Sequence, residues 1–397
     1  MKIAGNEKLA RIIIIALILL VSASSALALP PDPDNAALLY YQVFLIYQKP
    51  DDTMRDMITD LAAGKIEPDA RITKFVESQK TVIELAAAAA DLHDCHWGLR
   101  YSDGLATQVP YLSQARNLAK LILADARIAA KNGDCDLAID RCLTARKLAV
   151  HAGSEPIIIN LLVEIAIEKI ANRCIQDVLS SARIEPKTLR YLREELDHLD
   201  GRLLPLKPYY RTEHEVMAMY MTAEKAREVL PFLVLEPDRE SKFGEARQLI
   251  LAGDEQFYQR NRQYYNEYMN AIFCAFELPY EQAYAELERL SEKPSEESKE
   301  NPDATMTAIL APATQRVYNH DVHRKTFSNV LKAAIEIYIM TAGTAKLPDA
   351  LPAGLPKDMF SGEDFEYQKK DDGFVLRCQA KDLMEDKIHE YEFRVTK

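Results

Sequence analysis

Two short stretches concentrate the side chains best suited to ligate a metal or move a proton. One is "HDCH", with His93, Asp94, Cys95 and His96; the other is "HDVH", with His320, Asp321 and His323. Within each, the two imidazoles stand three residues apart, which puts them on one face if the segment is helical. Were the pairs to meet, four nitrogens could close a tetrahedral site, so His93, His96, His320 and His323 are the candidate metal ligands. Against that, neither stretch has a fixed spacing such as H-E-x-x-H, and histidines at helix ends are common surface residues. Trp97, the single tryptophan, follows His96 directly. A hydrolase or metal-dependent enzyme built on this chain would work in that loop. No catalytic residues are singled out beyond it. G-x-S-x-G, a Walker loop, a Rossmann fingerprint and a zinc-protease motif do not occur in the sequence, and no cofactor is expected. With 61 acidic residues, carboxylate pairs are too common to select any.

A second cluster is aromatic. Tyr258, Tyr264, Tyr265 and Tyr268 recur with Phe257 and Phe273 at helical spacing. Such a band usually fills a core. Exposed, it and Trp97 would form a binding surface, because tyrosine joins a large apolar area to a polar tip. The six cysteines include no C-x-x-C pair, which removes zinc ribbons and thioredoxin-like sites. Helices over 135–151 and 154–180 should run antiparallel about Gly153. Counting back from that turn sets Cys135 within a turn of Cys174, and a disulfide there needs a Cα separation under ~7 Å. The remaining thiols are expected to be buried and free.

The elements that must position these groups begin with an address. Lys2, Lys8 and Arg11 precede "IIIIALILLVSASSALALP". Its apolar core, Ile12 to Val21, is about half of the ~20 residues that a bilayer span needs. Ala26-Leu27-Ala28 fits the A-x-A pattern of a secretory cleavage site, and two prolines follow. A signal peptide over 1–28 and a periplasmic or secreted protein are expected; an uncleaved segment would be the sole membrane contact. The net charge of -12 becomes more negative once that basic segment is removed. An acidic surface repels phosphate backbones, so nucleic-acid binding is not expected.

With only 13 Gly, a glycine-loop nucleotide fold gives way to a helical one. The spacing of apolar residues predicts an all-round buried helix from Asn35 with Asp34 as its cap, and a long helix from Glu67 to His93. "YLSQARNLAKLILADARIAAKNGDCDLAIDRCLTARKLAVHAGSEP" carries one stripe from Leu112 to Ala129 and another from Ala138 to Ala149. Asn132-Gly133-Asp134 breaks them and Ser154 is placed to cap a third helix. This tetratricopeptide-like hairpin, 109–182, has no second copy, so a repeat array is not implied. Further helices are expected at 186–199, 213–229 and 254–275. A helical body over 29–290 then gives way to a flexible acidic loop, 291–303, and a long helix, 304–342, with a break near Pro312. The tail, 343–397, alternates Phe365 and Tyr367, turns at Asp371-Asp372-Gly373, and returns through Phe374, Leu376 and Cys378. That is a β-hairpin, and Tyr391, Phe393 and Val395 supply a third strand. The fold class is mainly α: an irregular antiparallel helical bundle closed by a small antiparallel β-meander.

"NVLKAAIEIYIMTAG", "KLPDALP", "LPKDMFSGEDFEY" and "DDGFVLRC" together resemble the C-terminal half of type II secretion major pseudopilins. The landmarks are Tyr338, Gly343, Leu347, Pro348, Asp358, Phe360, Gly362 and Tyr367. The same block, with a "C-x-W-G-L" loop (Cys95 to Leu99) and an "AR-x-L-A" helix (Ala115 to Arg127), is similar to uncharacterised exported helical proteins of planctomycete-type bacteria. The likeness implies a packing unit and no activity. The N-terminus lacks the pseudopilin leader order, and "DLMEDKIHEYEF" stands where the calcium loop would be, so calcium is not carried over. The expected function is an exported, non-enzymatic helical binding or scaffolding protein of the cell envelope, with a protein partner. The alternative is an extracytoplasmic hydrolase or metal-dependent enzyme at the His93/His96 loop.

Overall fold

Side-chain caps open five of the described α-helices, and glycines close three. The computed structural model describes residues 32–226, 246–344 and 346–395. The expected signal peptide, 1–28, and the expected helix end at Val229 lie outside them. Helix α1 (Ala36–Ile46) is capped by Asn35, whose carboxamide oxygen accepts from the Ala37 amide, and not by Asp34. The helix is not buried all round: Ala36, Ala37, Tyr40 and Val43 face the core while Leu38 and Leu45 face solvent. Asp51 and Asp69 cap α2 (Asp52–Ala62) and α3 (Ala70–Ser78). The single helix expected from Glu67 is two, because the chain leaves helical geometry at Gln79 before α4 (Lys80–Ala90). Gln79 is buried there and its side-chain oxygen accepts from the Gln48 amide.

The hairpin follows the expected pattern. Helix α5 (Tyr111–Lys131) buries Leu112, Ala115, Leu118, Ala119, Ile122, Ala126 and Ala129. Gly133 then takes a left-handed φ of 85°, which glycine adopts without steric cost. Asp134 accepts from the Leu137 amide at the start of α6 (Cys135–Ala152). The third helix, α7 (Ile158–Ser181), starts later than expected and has no side-chain cap. Ser154 instead donates to the Cys95 carbonyl at 2.8 Å. Pro186 opens α8 (Pro186–Arg202), and α9 (Leu206–Met219) begins well before the expected 213.

Asp254 caps α10 (Glu255–Ala275). Next comes α11 (Tyr280–Glu297), which corrects the flexible loop expected from 291. Leu287, Leu290 and Pro294 are one buried stripe at i, i+3 and i+7, so the helix face continues through the proline. The side chain of Tyr264 also ties down the last turn, donating to Glu297 at 2.7 Å. After α12 (Thr305–Leu310), Pro312 sits in the expected break before α13 (Thr314–Thr344). This central helix is buried on nearly every side and packs against α7, α8 and α11.

The tail is a three-stranded antiparallel sheet, β1 (Glu366–Lys370), β2 (Gly373–Arg377) and β3 (Glu390–Arg394), in that order. Phe374 pairs with Phe393 and their rings stack at 5.2 Å. Both lie against Tyr338 of α13, whose hydroxyl donates to the Arg394 carbonyl at 2.6 Å. A Cβ on Gly373 would fall 1.9 Å from the Phe393 oxygen, so only glycine allows that strand approach. The body is therefore mainly α-helical with a small C-terminal antiparallel sheet laid on its longest helix.

Candidate functional site

The loop after α4 is built around Trp97. Asn35 reaches across from α1 and makes two hydrogen bonds to the His96 backbone. Trp97 donates its ring N–H to the His151 carbonyl at 2.7 Å and stacks on Tyr111 at 4.1 Å. It is 3 % exposed, so the tryptophan holds the loop and presents no binding surface. His93 and His96 project outward, and His93 pairs with Asp94 at 2.6 Å.

The expected four-histidine site does not form. His93 and His96 line a cavity of about 390 Å³ with His151, Ser154, Glu164 and Arg202. His320 and His323, on α13, line a different cavity of about 30 Å³ with Asp382 and Glu385 of the tail. The two cavities share no lining residue, because the first pair stays on its loop while the second faces the tail. The tyrosine band is likewise core: Tyr258, Tyr265 and Tyr268 are buried and Tyr264 is half-buried against Glu297. Cys135 is not the neighbour of Cys174. The connection from α6 to α7 runs through 153–157 instead of turning at Gly153, which shifts the register and brings Cys142 to Cys174. Hydrogen bonding with Cys174, then burial, push the Cys142 thiol well up. All six cysteines are free thiols.

Sequence reasoning missed the most unusual feature of the interior, a buried ion-pair network. Arg146 on α6 meets Glu168 on α7 and Asp200 on α8, the latter at 2.7 Å. Lys332 and Ser328 of α13 reach the other Asp200 oxygen at 2.6 and 2.7 Å. Arg324, one turn earlier, contacts Glu164, Glu168 and Asp321. Arg146, Glu164, Glu168, Asp321 and Arg324 are all at most 4 % exposed. Such charges are tolerated inside only when each finds a partner. Three buried cations face four carboxylates here, and the excess negative charge has two outlets. One is Lys325, half-exposed, 2.7 Å from Asp321. The other is a proton on Glu164, whose pKa burial pushes up to about 7 although Arg324 pulls it down.

The network touches the solvent-facing cavities at named atoms. The Glu164 carboxylate accepts from Tyr209 at 3.1 Å and borders the 390 Å³ cavity. It also lies so close to Gly153 that a Cβ there would sit 1.5 Å from its Oε2. Opposite it in that cavity, Arg202 donates to His151 Nε2 at 3.1 Å, which leaves Nδ1–H to donate to Tyr40. The ring is thus held neutral, with burial and then Arg202 pushing it down to about 4. At the other end, Asp321 and Lys325 border a cleft of about 740 Å³ between α9, the α10–α11 connection, α13 and the tail. Its wall is an aromatic run: Phe276 stacks on Tyr318 at 6.0 Å, Tyr318 on Tyr280 at 6.2 Å, and Tyr280 meets Phe360 at 4.9 Å. Arg324 is the residue common to both ends. Chemically, a carboxyl group poised near neutrality beside a tyrosine hydroxyl can exchange a proton, and an aromatic cleft with a charged margin can hold an apolar segment.

No protein-family model, curated protein or solved structure matches the chain. Among the described residues, no helix is long and apolar enough to cross a membrane.

Proposed function

We propose that the chain is an exported, non-enzymatic binding or scaffolding protein of the cell envelope, and that it holds a protein partner in the 740 Å³ cleft. One observation carries this: the aromatic wall opens to solvent between three large apolar side chains, Leu278, Met359 and Leu383, each at least 36 % exposed. A volume of that order suits a bound segment of several side chains, and exposed apolar groups gathered at a cleft mark interaction sites. Lys207, Lys325 and Lys381 face Glu277 and Glu281 around it, so the occupant is an apolar segment flanked by charges of both signs. A photo-crosslinking side chain at Met359, used in intact cells, should trap one dominant envelope partner. Leu278→Glu should abolish that product without lowering the melting temperature. An unchanged product in the variant would reject the cleft as the site. Edman sequencing of the exported protein should start at Leu29.

A second proposal rests on Glu164, whose near-neutral carboxyl lines the cavity that holds His93, His96 and His151. In it the chain is an extracytoplasmic hydrolase with Glu164 as general acid or base. Hydrolysis of a substrate panel by the wild type, lost in Glu164→Gln at unchanged fold, would favour this over binding alone.

A further inference from the structure

We propose that the loop 382–389 binds a divalent transition-metal ion of the zinc type through Asp382 Oδ2, Glu385 Oε2 and His389 Nε2. The three donor atoms lie within 4.8 Å of one another. His389 Nε2 is 3.0 Å from Asp382 Oδ2 and 4.0 Å from Glu385 Oε2, so one ion could sit between them with small side-chain shifts. The spacing D-x-x-E-x-x-x-H comes from a single loop, which backbone pairing of Asp382 with Lys387 closes at 2.8 and 3.2 Å.

The surroundings are those of a supported ligand set. Asp382 is buried, and its Oδ1 accepts from the Met384 and Glu385 amides and from Asn319. Asn319 is fixed in turn by Tyr280, which donates to it at 2.6 Å. These bonds all fall on Oδ1 and leave Oδ2 aimed at His389, the outer-shell arrangement that orients metal-binding carboxylates. The His389 ring stacks on Phe360 at 5.7 Å and meets His323 at 4.6 Å. Beyond Asp382 and Glu385 lies the cavity of about 30 Å³ bordered by His320 and His323, room for about one water as a further ligand. A nitrogen donor beside two carboxylates favours zinc over calcium or magnesium, which take oxygen ligands. Two carboxylates also neutralise a dication. Lys169 lines the same cavity but is itself exposed, so its ammonium can stay in water.

Glu385 separates this proposal from a purely structural Asp382–His389 ion pair. Its carboxylate is 44 % exposed, stands 4.0 Å from His389 and makes no hydrogen bond among the described residues, so the fold depends little on it and a metal would depend on it directly. The test is zinc titration of the chelator-stripped full chain by calorimetry, with bound metal counted by mass spectrometry after desalting. One equivalent should be retained and should raise the melting temperature. Glu385→Gln should weaken binding at least tenfold while the metal-free melting temperature stays put, and His389→Gln should abolish it. A His93→Ala/His96→Ala double variant should bind as the wild type does. No retained zinc, or equal retention by Glu385→Gln and His389→Gln, would overturn the proposal; the latter outcome would point to the free thiols.

Discussion

Helix α13 meets two different interiors on two of its faces. Asp321, Arg324, Ser328 and Lys332 turn one face into the ion-pair network shared with α6, α7 and α8. Phe327 and Tyr338 turn another onto the tail, where Phe327 meets Tyr391 at 5.1 Å and Tyr338 meets Phe374 at 5.6 Å. Both interfaces exclude water, yet they respond to change differently. Packed rings interact without strong direction, so a smaller ring or an aliphatic chain retains part of the contact. An ion pair depends on direction and charge together. Removing one member leaves its partners charged, buried and alone. The tail clasps α13 with its rings; this clasp should degrade gradually, and the network should fail at once.

The sharpest break of that comparison is Arg324→Met. It leaves Glu164, Glu168 and Asp321 without their shared guanidinium, and a stranded buried charge costs ~3–5 kcal/mol. Glu168 keeps Arg146 and Asp321 keeps Lys325, so Glu164 is the carboxylate left without a cation, and the loss should lie within that range in urea unfolding at pH 8. Arg324→Lys should recover little of it, since an ammonium lacks the planar fork that serves several carboxylates. Recovery of most of the stability by lysine would mean that net charge, not geometry, holds the network.

Phe365→Ala comes next. Phe365, the residue just before β1, is 3 % exposed, and truncating a buried phenylalanine costs ~3–5 kcal/mol; we expect the lower end, because the tail can settle over the gap. Phe365→Leu should cost about 1 kcal/mol by the same measurement. If Phe365→Leu proved as costly as Phe365→Ala, the contrast between gradual and abrupt failure would be lost. A Phe365→Ala protein of normal stability that no longer captured its partner would recast the strands as an interaction site.

These two interfaces also differ in how visible they were beforehand. The clasp could be read because Phe365, Tyr367, Phe374 and Phe393 alternate at period two on either side of a turn, and water alone decides which face they take. The stripe from Leu112 to Ala129 was legible for the same reason at helical spacing. The network was not. Arg324 and Glu164 are 160 residues apart, and each looks like any solvated charge on a helix until the helices are packed. Local rules failed in smaller ways where tertiary contacts outweighed them. Pro294 reads as a breaker but continues the buried stripe of Leu287 and Leu290. Cys142, not Cys135, meets Cys174 because a short irregular connection resets the register of α7. A hint of the network was the pair Glu164 and Glu168 inside the apolar run Leu161 to Ile170, with Arg146 following Ala145.

A pH titration sharpens the comparison at a smaller scale. Glu164 is raised to about 7 in the fold, against an unfolded carboxyl near ~4.3. Between those values the folded chain binds more protons than the unfolded one, so this group's contribution falls as pH rises through about 7. His151 and His323 act in the opposite sense. Burial lowers both to about 4, so the unfolded chain binds more protons from there to ~6.5 and their contribution grows with pH. In Glu164→Gln the first slope disappears. The stability of the wild type minus that of the variant should therefore decline from pH 4.5 to 7.5 by on the order of 2–3 kcal/mol, measured as paired urea midpoints. Phe365→Ala should show no such pH-dependent difference, since no ionisable group changes.

The smallest effect is expected at two exposed lysines of β1: Lys369, which stands opposite Phe374 at the rim of the apolar face, and Lys370 on the other face. Lys369 pairs with Asp349 at 2.9 Å and also donates to the Leu347 carbonyl at 3.1 Å; Lys370 pairs with Glu392 at 2.9 Å. These contacts look as good in distance as those of the interior, but their setting is different. Asp349 is 99 % exposed and Glu392 57 %, so water and salt screen both pairs and solvate each charge when its partner is gone. Exposed pairs are worth ~0–1 kcal/mol. Lys369→Gln and Lys370→Gln should each move the unfolding free energy by less than ~0.5 kcal/mol, and the small change should vanish in molar salt. Arg324→Met should be nearly unaffected by the same salt, because its charges are beyond the reach of ions. A salt-insensitive loss above 1 kcal/mol at Lys369 would show that the Leu347 carbonyl contact, not the aromatic face, anchors β1. The clasp would then be held by direction after all.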